Sequence, residues 1–149
     1  MLDLIIKNGS CYINKDLKDQ DIAIKDGKII KIGKIDSEAK ETFDAEGLTV
    51  LPGCIDTQTH FREPGSTDTE DLHSGSRAAI VGGITSVFEM PNTNPPTSTK
   101  VEFQKKLDLA KNRMYCNYAF YFGATADNAN ELADLVNLEG CCGIKLFAG

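Results

Sequence analysis

The fold is decided by residues 51–65, which read LPGCIDTQTHFREPG. The stretch opens with an apolar run, and polar side chains then recur at every second position: Asp56, Gln58, His60 and Arg62. Side chains two residues apart project from the same face of a strand, so these four groups share one face. An apolar strand that ends in polar groups on one face is typical of a strand leading into a functional site. Pro64 and Gly65 then end the strand.

From residue 51 onward, strand and helix patterns alternate along the chain. The predicted strands are 51–60, 84–89, 115–123 and 141–147, and the predicted helices are 69–81, 99–110 and 128–137. Such alternation predicts a parallel sheet covered by helices. No GxGxxG motif follows the first strand, so a dinucleotide-binding sheet has no support. Polar residues follow the strands at their carboxyl ends, where barrel enzymes place their sites. We therefore expect residues 51–149 to form the first four β/α units of a (β/α)8 TIM-type barrel, an α/β fold.

The amino-terminal segment, residues 1–50, has the pattern of a small β-sandwich-like unit. Short runs of alternating apolar residues are separated by turn signals. Asp26-Gly27 lies between two such runs and predicts a tight hairpin, and Asn8-Gly9 predicts another turn. No residue here suggests chemistry, so we interpret the segment as structural.

The amino-acid composition and net charge argue against several classes of protein. The 149 residues carry a formal net charge of −6, which argues against nucleic-acid binding through a basic surface. Five cysteines without paired metal-finger spacing favour free thiols in a reducing compartment, and we interpret Cys141-Cys142 as small buried side chains. No apolar run approaches the length of a membrane span. We expect a cytoplasmic protein with no membrane or nucleic-acid partner.

Two residues suggest a metal site. His60 ends the first barrel strand, and a histidine there is a candidate metal ligand, although a lone histidine is more often structural. Lys145 lies in the otherwise apolar strand CCGIKLFAG (141–149). Burial of a lysine in a barrel favours the neutral amine, which can add carbon dioxide to become an anionic carbamate ligand. The alternative is that Lys145 extends out of the strand end into solvent.

Two further residues suggest recognition of an anionic substrate. Arg62 shares the strand face of His60 and could hold a carboxylate through two parallel hydrogen bonds. Its alternative role is a surface ion pair with Glu63 or Asp68. Asn92, in MPNTNP (90–95), can offer an amide donor and acceptor together, but asparagine is also a common turn residue.

Three segments, HFREPG (60–65), GSRAAIVGGITSVFEMPNTNP (75–95) and GIKLFAG (143–149), resemble the dihydroorotase branch of the amidohydrolases, whose close relatives are hydantoinases and allantoinases. The resemblance implies reversible, metal-dependent hydrolysis of dihydroorotate to N-carbamoyl-aspartate in pyrimidine biosynthesis. It also implies that His60 is a zinc ligand, that Lys145 is a carboxylated lysine bridging two zinc ions, and that Arg62 and Asn92 bind the substrate's carboxylate.

The chain departs from this family pattern in two respects. Gln58 occupies the position where the first strand usually has a histidine, and an amide oxygen is a weaker zinc ligand than imidazole, so one or two ions are expected. The proton-shuttling aspartate and two further histidines of the family are expected beyond Gly149, so no catalytic acid or base is assigned within this chain. The alternatives are a truncated, catalytically inactive homologue, serving as a scaffold subunit or persisting as a gene relic, and a related hydantoinase or allantoinase. Half a barrel leaves both sheet edges unpaired, which predicts self-association or a partner subunit.

Overall fold

The structure is a computed structural model that describes residues 1–148. It divides into two units, the first spanning Met1–Pro52 and the second beginning at Gly53. Among the described residues, the longest helix has 11 residues, and none of the helices is long and apolar enough to cross a membrane.

The first unit is one five-stranded sheet. Its strands are β1 (Leu2–Ile13), β2 (Asp16–Lys25), β3 (Lys28–Gly33), β4 (Ala39–Asp44) and β5 (Thr49–Val50). The order is β3-β2-β1-β4, and β5 pairs with β1. Strand β2 is antiparallel to both β1 and β3, whereas β4 and β5 run parallel to β1. The described strands thus form a single sheet rather than two facing layers. Its buried core contains Ile5, Ala23 and Ile35.

The two predicted turns of this unit have different outcomes. Asp26 and Gly27 adopt φ values of 49° and 70°, as a two-residue hairpin requires, and they join β2 to β3. The predicted turn at Asn8-Gly9 is wrong, because β1 continues through it with a bulge. The side chain of Asn8 explains the bulge: its Nδ2 donates to Asp44 Oδ1 at 2.9 Å, which holds the irregular backbone within the sheet.

The second unit is a curled parallel sheet covered by helices. In chain order its elements are β6 (Cys54–Thr59), α1 (Leu72–Val81), β7 (Ile84–Glu89), α2 (Lys100–Ala110), β8 (Asn117–Gly123), a 3₁₀ turn (Ala129–Glu131), α3 (Leu132–Leu135) and β9 (Cys141–Lys145). The sheet order is β6-β7-β8-β9, with every neighbouring pair parallel. The prediction of a small β unit followed by half of an α/β barrel is confirmed.

Capping side chains determine where the first two helices begin. Asp71 caps α1 by accepting a hydrogen bond from Ser74 N at 2.6 Å, while Ser74 Oγ accepts one from Asp71 N. The predicted start at residue 69 is therefore three residues too early. Thr99 caps α2 by accepting from Glu102 N. The side chain of Glu102 does not return the hydrogen bond to Thr99 N and binds Lys105 instead.

The third predicted helix, 128–137, is much shorter in the structure. Asn128 is anchored on both sides: its Oδ1 accepts from Thr125 N, and its Nδ2 donates to the carbonyl oxygens of Ser98 and Gly123. The chain then forms only a 3₁₀ turn and the four residues of α3. Strand β9 also ends at Lys145, two residues before the predicted limit.

The core of the second unit lies between the sheet and its helices. Its buried members are Phe61, Leu72, Val87, Phe103, Ala110, Cys116, Phe120, Phe122 and Leu135. Strand residues pair in register across β8 and β9, so Phe122 and Ile144 both project toward the helices. By alternation, Tyr121 and Lys145 project from the opposite face of the sheet. We call this the inner face, because it is the interior side of a barrel.

Candidate metal and substrate site at the strand ends

The central contact of the site joins His60 to Asn92. The ring Nδ1 of His60 lies 2.9 Å from Oδ1 of Asn92. An amide oxygen can only accept a hydrogen bond, so Nδ1 carries the proton and Nε2 keeps its lone pair. A second group that fixes the tautomer in this way is typical of metal-ligating histidines. The structure therefore brings together two residues selected from the sequence, and it leaves Nε2 of His60 available to a metal.

Strand order explains why these residues meet. Strands β6 and β7 are parallel neighbours, and Thr59 is paired with Glu89 at their carboxyl ends. Met90 N then donates to Thr59 O at 2.9 Å, which extends the ladder by one step. His60 and Asn92 follow directly, so the two side chains emerge at the same edge of the sheet.

The loops after β6 and β7 are also joined to each other. Asn94 N donates to Pro64 O at 3.0 Å. Gly65 lies against Asn94 with φ of 118°, and a Cβ on Gly65 would lie 2.7 Å from the Cβ of Asn94. Glycine is thus required both for the backbone angle and for the close approach. The two loops form one layer that carries Arg62 and Asn92.

Arg62 is exposed at this layer. Within residues 1–148 its guanidinium makes no ion pair or hydrogen bond. The alternative pairing with Glu63 does not form, because the Glu63 carboxylate is buried and engaged elsewhere. The guanidinium is therefore available for an anionic ligand.

The partner of Glu63 is Arg113, a residue that sequence reasoning missed. Arg113 Nη1 lies 2.7 Å from Oε1 and Nη2 lies 3.0 Å from Oε2, and Leu72 N also donates to Oε2 at 2.9 Å. The hydrogen-bonded carboxylate raises the pKa of Arg113 above its usual value. Glu63 thus connects the loop bearing Arg62 to the start of α1 and to the segment after α2. No local sequence signal marks Arg113 for this role.

Lys145 ends β9, where its backbone carbonyl accepts from Ala124 N at 2.8 Å. Its side chain is half-buried, with Nζ 5.2 Å from the centre of the exposed Phe147 ring. The expected full burial is not observed, because within residues 1–148 nothing covers the inner face beside it as the helices cover Ile144. The alternative, in which the Lys145 side chain extends into solvent, is not fully observed either, because the side chain is half-buried.

Gln58 and Asp56 differ in role. The carboxylate of Asp56 accepts from Gln58 N at 2.9 Å, so Asp56 anchors the backbone near the end of the strand. The side chain of Gln58 is exposed and makes no hydrogen bond within residues 1–148, so its amide oxygen is open to a ligand. Cys141 and Cys142 are half-buried rather than fully buried as expected. Burial still raises the pKa of the Cys142 thiol to about 12 and keeps it protonated at neutral pH, which fits the non-redox interpretation.

The donor set fits a zinc ion in part. His60 offers the right atom in the right tautomer, Gln58 offers a weak amide oxygen, and Lys145 offers an amine that becomes an anionic ligand only when carboxylated. Among residues 1–148 no cluster of three or more His, Cys, Asp or Glu side chains could hold a metal by itself. The described residues supply part of a metal shell rather than a complete one.

A buried ion pair lies beneath the same loop layer and was also missed from the sequence. Lys106 Nζ lies 2.7 Å from Glu89 Oε2, and both side chains are at most 1% exposed. Burial raises the pKa of Glu89 to about 7, although the Lys106 charge opposes the shift. Burial also lowers the pKa of Lys106. Neither residue stands out in sequence, because each lies in an ordinary strand or helix pattern.

Comparisons of this chain with protein families, curated proteins and solved structures agree with one another. A model of the Amidohydrolase family matches residues 49–140. Allantoinase of Escherichia coli O1:K1 / APEC is 41% identical over 146 residues, covering 97% of this chain and 32% of that protein. The chain therefore spans about a third of the length of the curated relatives it matches.

Solved structures show the same kinship. The L-hydantoinase (dihydropyrimidinase) of Arthrobacter aurescens superimposes with a TM-score of 0.87 at 34% identity, covering 97% of this chain and 32% of the other. A D-hydantoinase gives a TM-score of 0.78, also at 34% identity, covering 95% of this chain and 32% of the other. These relatives confirm the predicted amidohydrolase kinship, and the narrower resemblance to dihydroorotase stays a prediction.

Proposed function

The chain belongs to the amidohydrolase family, and from this premise we propose that it forms part of a metal-dependent hydrolase that opens a cyclic amide ring. The observation that carries the proposal is the contact between His60 and Asn92. It holds one imidazole with Nε2 open for a metal, in the same loop layer as the exposed Arg62. A metal ligand beside an anion-binding guanidinium suits a substrate that has both a scissile amide and a negative charge.

Each proposed site residue has a distinct role. His60 would hold zinc through Nε2, with Gln58 as a weak ligand and Lys145 as a carbamate. Zinc, when bound, supplies polarisation of a carbonyl group and activation of water at neutral pH. Asn92 holds the His60 tautomer through its amide oxygen, which leaves its amide nitrogen for substrate, and Arg62 orients an anionic substituent.

The substrate we propose is dihydroorotate, or carbamoyl-aspartate in the reverse direction, which places the activity in pyrimidine biosynthesis. Its carboxylate matches the unpaired Arg62. A ring without a carboxylate is the second candidate, favoured by the 41% identity to an allantoinase and the 34% identity to hydantoinases. Comparing turnover of dihydroorotate, allantoin and hydantoin by the whole protein separates these candidates.

An inactive homologue is the competing proposal, and Gln58 is the feature that favours it. Zinc content distinguishes the two. For an active enzyme we expect the whole protein to bind at least one zinc ion per chain, with binding lost in His60→Ala and kept in His73→Ala. His73 is the matched control because it is an exposed histidine that contacts Tyr115. Equal zinc binding by both variants would refute His60 as a ligand and with it the proposed site.

We also propose a cytoplasmic location and self-association or a partner subunit. All five cysteines are free thiols, as suits a reducing compartment. Strands β6 and β9 are the edges of the second sheet, and each pairs on one side only within residues 1–148. Unpaired edges of a parallel sheet favour association. A single monomeric species in sedimentation velocity across a wide concentration range would contradict self-association.

A further inference from the structure

A lysine buried beneath the site has more contacts than its ion pair requires. Besides Glu89 Oε2 at 2.7 Å, Lys106 Nζ donates to Met90 O at 3.3 Å and to Thr97 Oγ1 at 3.2 Å. Thr93 Oγ1 is a further, more distant acceptor at 3.5 Å, so the three N–H donors of the ammonium have four acceptors within reach. Burying two charges costs more than filling the same space with apolar side chains, so the ion pair alone is a weak source of stability. The additional contacts of Lys106 therefore indicate its structural role.

Those contacts hold both ends of one loop. We call residues 90–97 the Asn92 loop. Met90 begins it, directly after β7, and Thr97 ends it just before the cap of α2. Thr97 also closes the loop on itself, since its N donates to Pro91 O at 2.9 Å. The Lys106 ammonium therefore sits beneath the loop and holds its two ends together.

The same loop positions the amide that contacts His60. Asn92 is two residues after Met90, and its Oδ1 lies 2.9 Å from His60 Nδ1. Glu89, the ionic partner of Lys106, is paired with Thr59, the residue before His60. The buried ion pair thus borders both strands at the point where the two site residues emerge.

We propose that Lys106 is a positioning residue that, by holding Met90 O and Thr97 Oγ1, fixes the Asn92 amide and through it the tautomer of His60. The role given to His60 and Asn92 rests on the proposed function. The contact between them does not, so it can be measured without metal, substrate or turnover.

The test is the tautomer of His60 measured by ¹H–¹⁵N NMR of the imidazole rings at about pH 8.5, roughly two units above the ordinary histidine pKa. Residues 1–149 contain two histidines, His60 and His73, and the spectrum of His73→Ala identifies which signals belong to His60. In the natural sequence we expect His60 to be protonated at Nδ1. In Lys106→Met we expect loss of that single tautomer and a shift toward protonation at Nε2, with His73 unchanged.

The matched control is Lys105→Met, which makes the same substitution one position earlier on α2. Lys105 is exposed and pairs with Glu102, so His60 and His73 should both keep their signals. A folded Lys106→Met variant with the natural His60 signals would overturn the proposal. So would equal changes in both lysine variants.

Lys106→Met leaves Glu89 buried without its partner and could prevent folding. Thr97→Val then provides the second test, because it removes one contact of Lys106 and keeps both charges. We expect a partial shift of the His60 tautomer, and an unchanged tautomer overturns the proposal. If the unsubstituted protein bound no zinc while His60 remained protonated at Nδ1, that result would count against the proposed function and leave this inference intact.

Discussion

The carboxylate of Glu63 and the guanidinium of Arg113 form a bidentate ion pair, with N–O distances of 2.7 and 3.0 Å, although 50 positions separate them in the sequence. Glu63 directly follows Arg62, and it also accepts a hydrogen bond from Leu72 N at the start of α1. The direction in which Arg62 faces solvent is therefore set by a buried neighbour that binds two other elements. The orientation of Arg62 and the folding of the helical layer therefore depend on the same carboxylate.

Replacing Glu63 with glutamine should destabilise the second unit. The amide keeps the side-chain shape but loses the ion pair and places an N–H group in a buried acceptor position, so we expect the free energy of unfolding to fall by about 2 kcal/mol. Urea-induced unfolding measures the change. Glu102→Gln is the control, because Glu102 pairs with the exposed Lys105 and its loss should change stability little. Equal effects of the two substitutions would contradict the role of Glu63.

Replacing Gly65 with alanine should separate the two loops of the site. The new Cβ would lie 2.7 Å from the Cβ of Asn94 at a backbone φ of 118°, so steric conflict adds to backbone strain. We expect a loss of about 2–3 kcal/mol in the free energy of unfolding. Gly27→Ala is the matched control, with positive φ but open space around it, and should cost about 1 kcal/mol. A smaller loss for Gly65 than for Gly27 would refute the close-approach argument.

Much of the fold was predictable because its signals are local. The strand over 84–89 and the hairpin at Asp26-Gly27 are each specified within a few residues, and both predictions are confirmed. The errors arise where distant side chains intervene. The Asn8 bulge depends on Asp44, and the shortened third helix depends on contacts of Asn128 with Ser98 and Gly123.

The candidate site was predictable only at its surface. His60 and Asn92 carry recognisable chemistry at the ends of neighbouring strands, and the structure joins them. Arg113 and Lys106 were missed because their role is defined by partners far along the chain and not by a motif. Lys145 was correctly predicted to lie on the last strand, but that strand ends at Lys145 rather than at residue 147. Its burial depends on cover for the inner face that residues 1–148 do not provide.

The Glu89 carboxyl should make stability fall as pH rises from about 4.5 to 7. Its pKa is raised from its ordinary value near 4.5 to about 7, so in this window the folded state binds more protons than the unfolded state. The free energy of unfolding then decreases with pH, by at most about 1.4 kcal/mol per pH unit for one group. Denaturant unfolding at several pH values measures the slope. Glu89→Gln should remove this contribution, and an identical slope in that variant would contradict it.

Arg62 should discriminate between the two candidate substrate classes. In the whole protein, Arg62→Met should lower kcat/KM for dihydroorotate by about 10- to 100-fold, the loss expected for charged hydrogen bonds to a carboxylate. Turnover of a hydantoin ring without a carboxylate should change little. Arg77→Met, on the exposed surface of α1, is the control and should affect neither substrate. An equal loss for both rings would indicate that Arg62 does not read the carboxylate.

Replacing Gln58 with histidine should strengthen the metal site. Gln58 lies two residues before His60 with its side chain exposed, and imidazole nitrogen binds zinc more strongly than an amide oxygen. In the whole protein we expect bound zinc to rise from about one to about two ions per chain. Gln104→His on the exposed face of α2 is the matched control, since it adds a histidine away from the site. If both variants gained the same amount of zinc, the added histidine would be acting as a surface ligand, and Gln58 would not limit metal binding at the strand end.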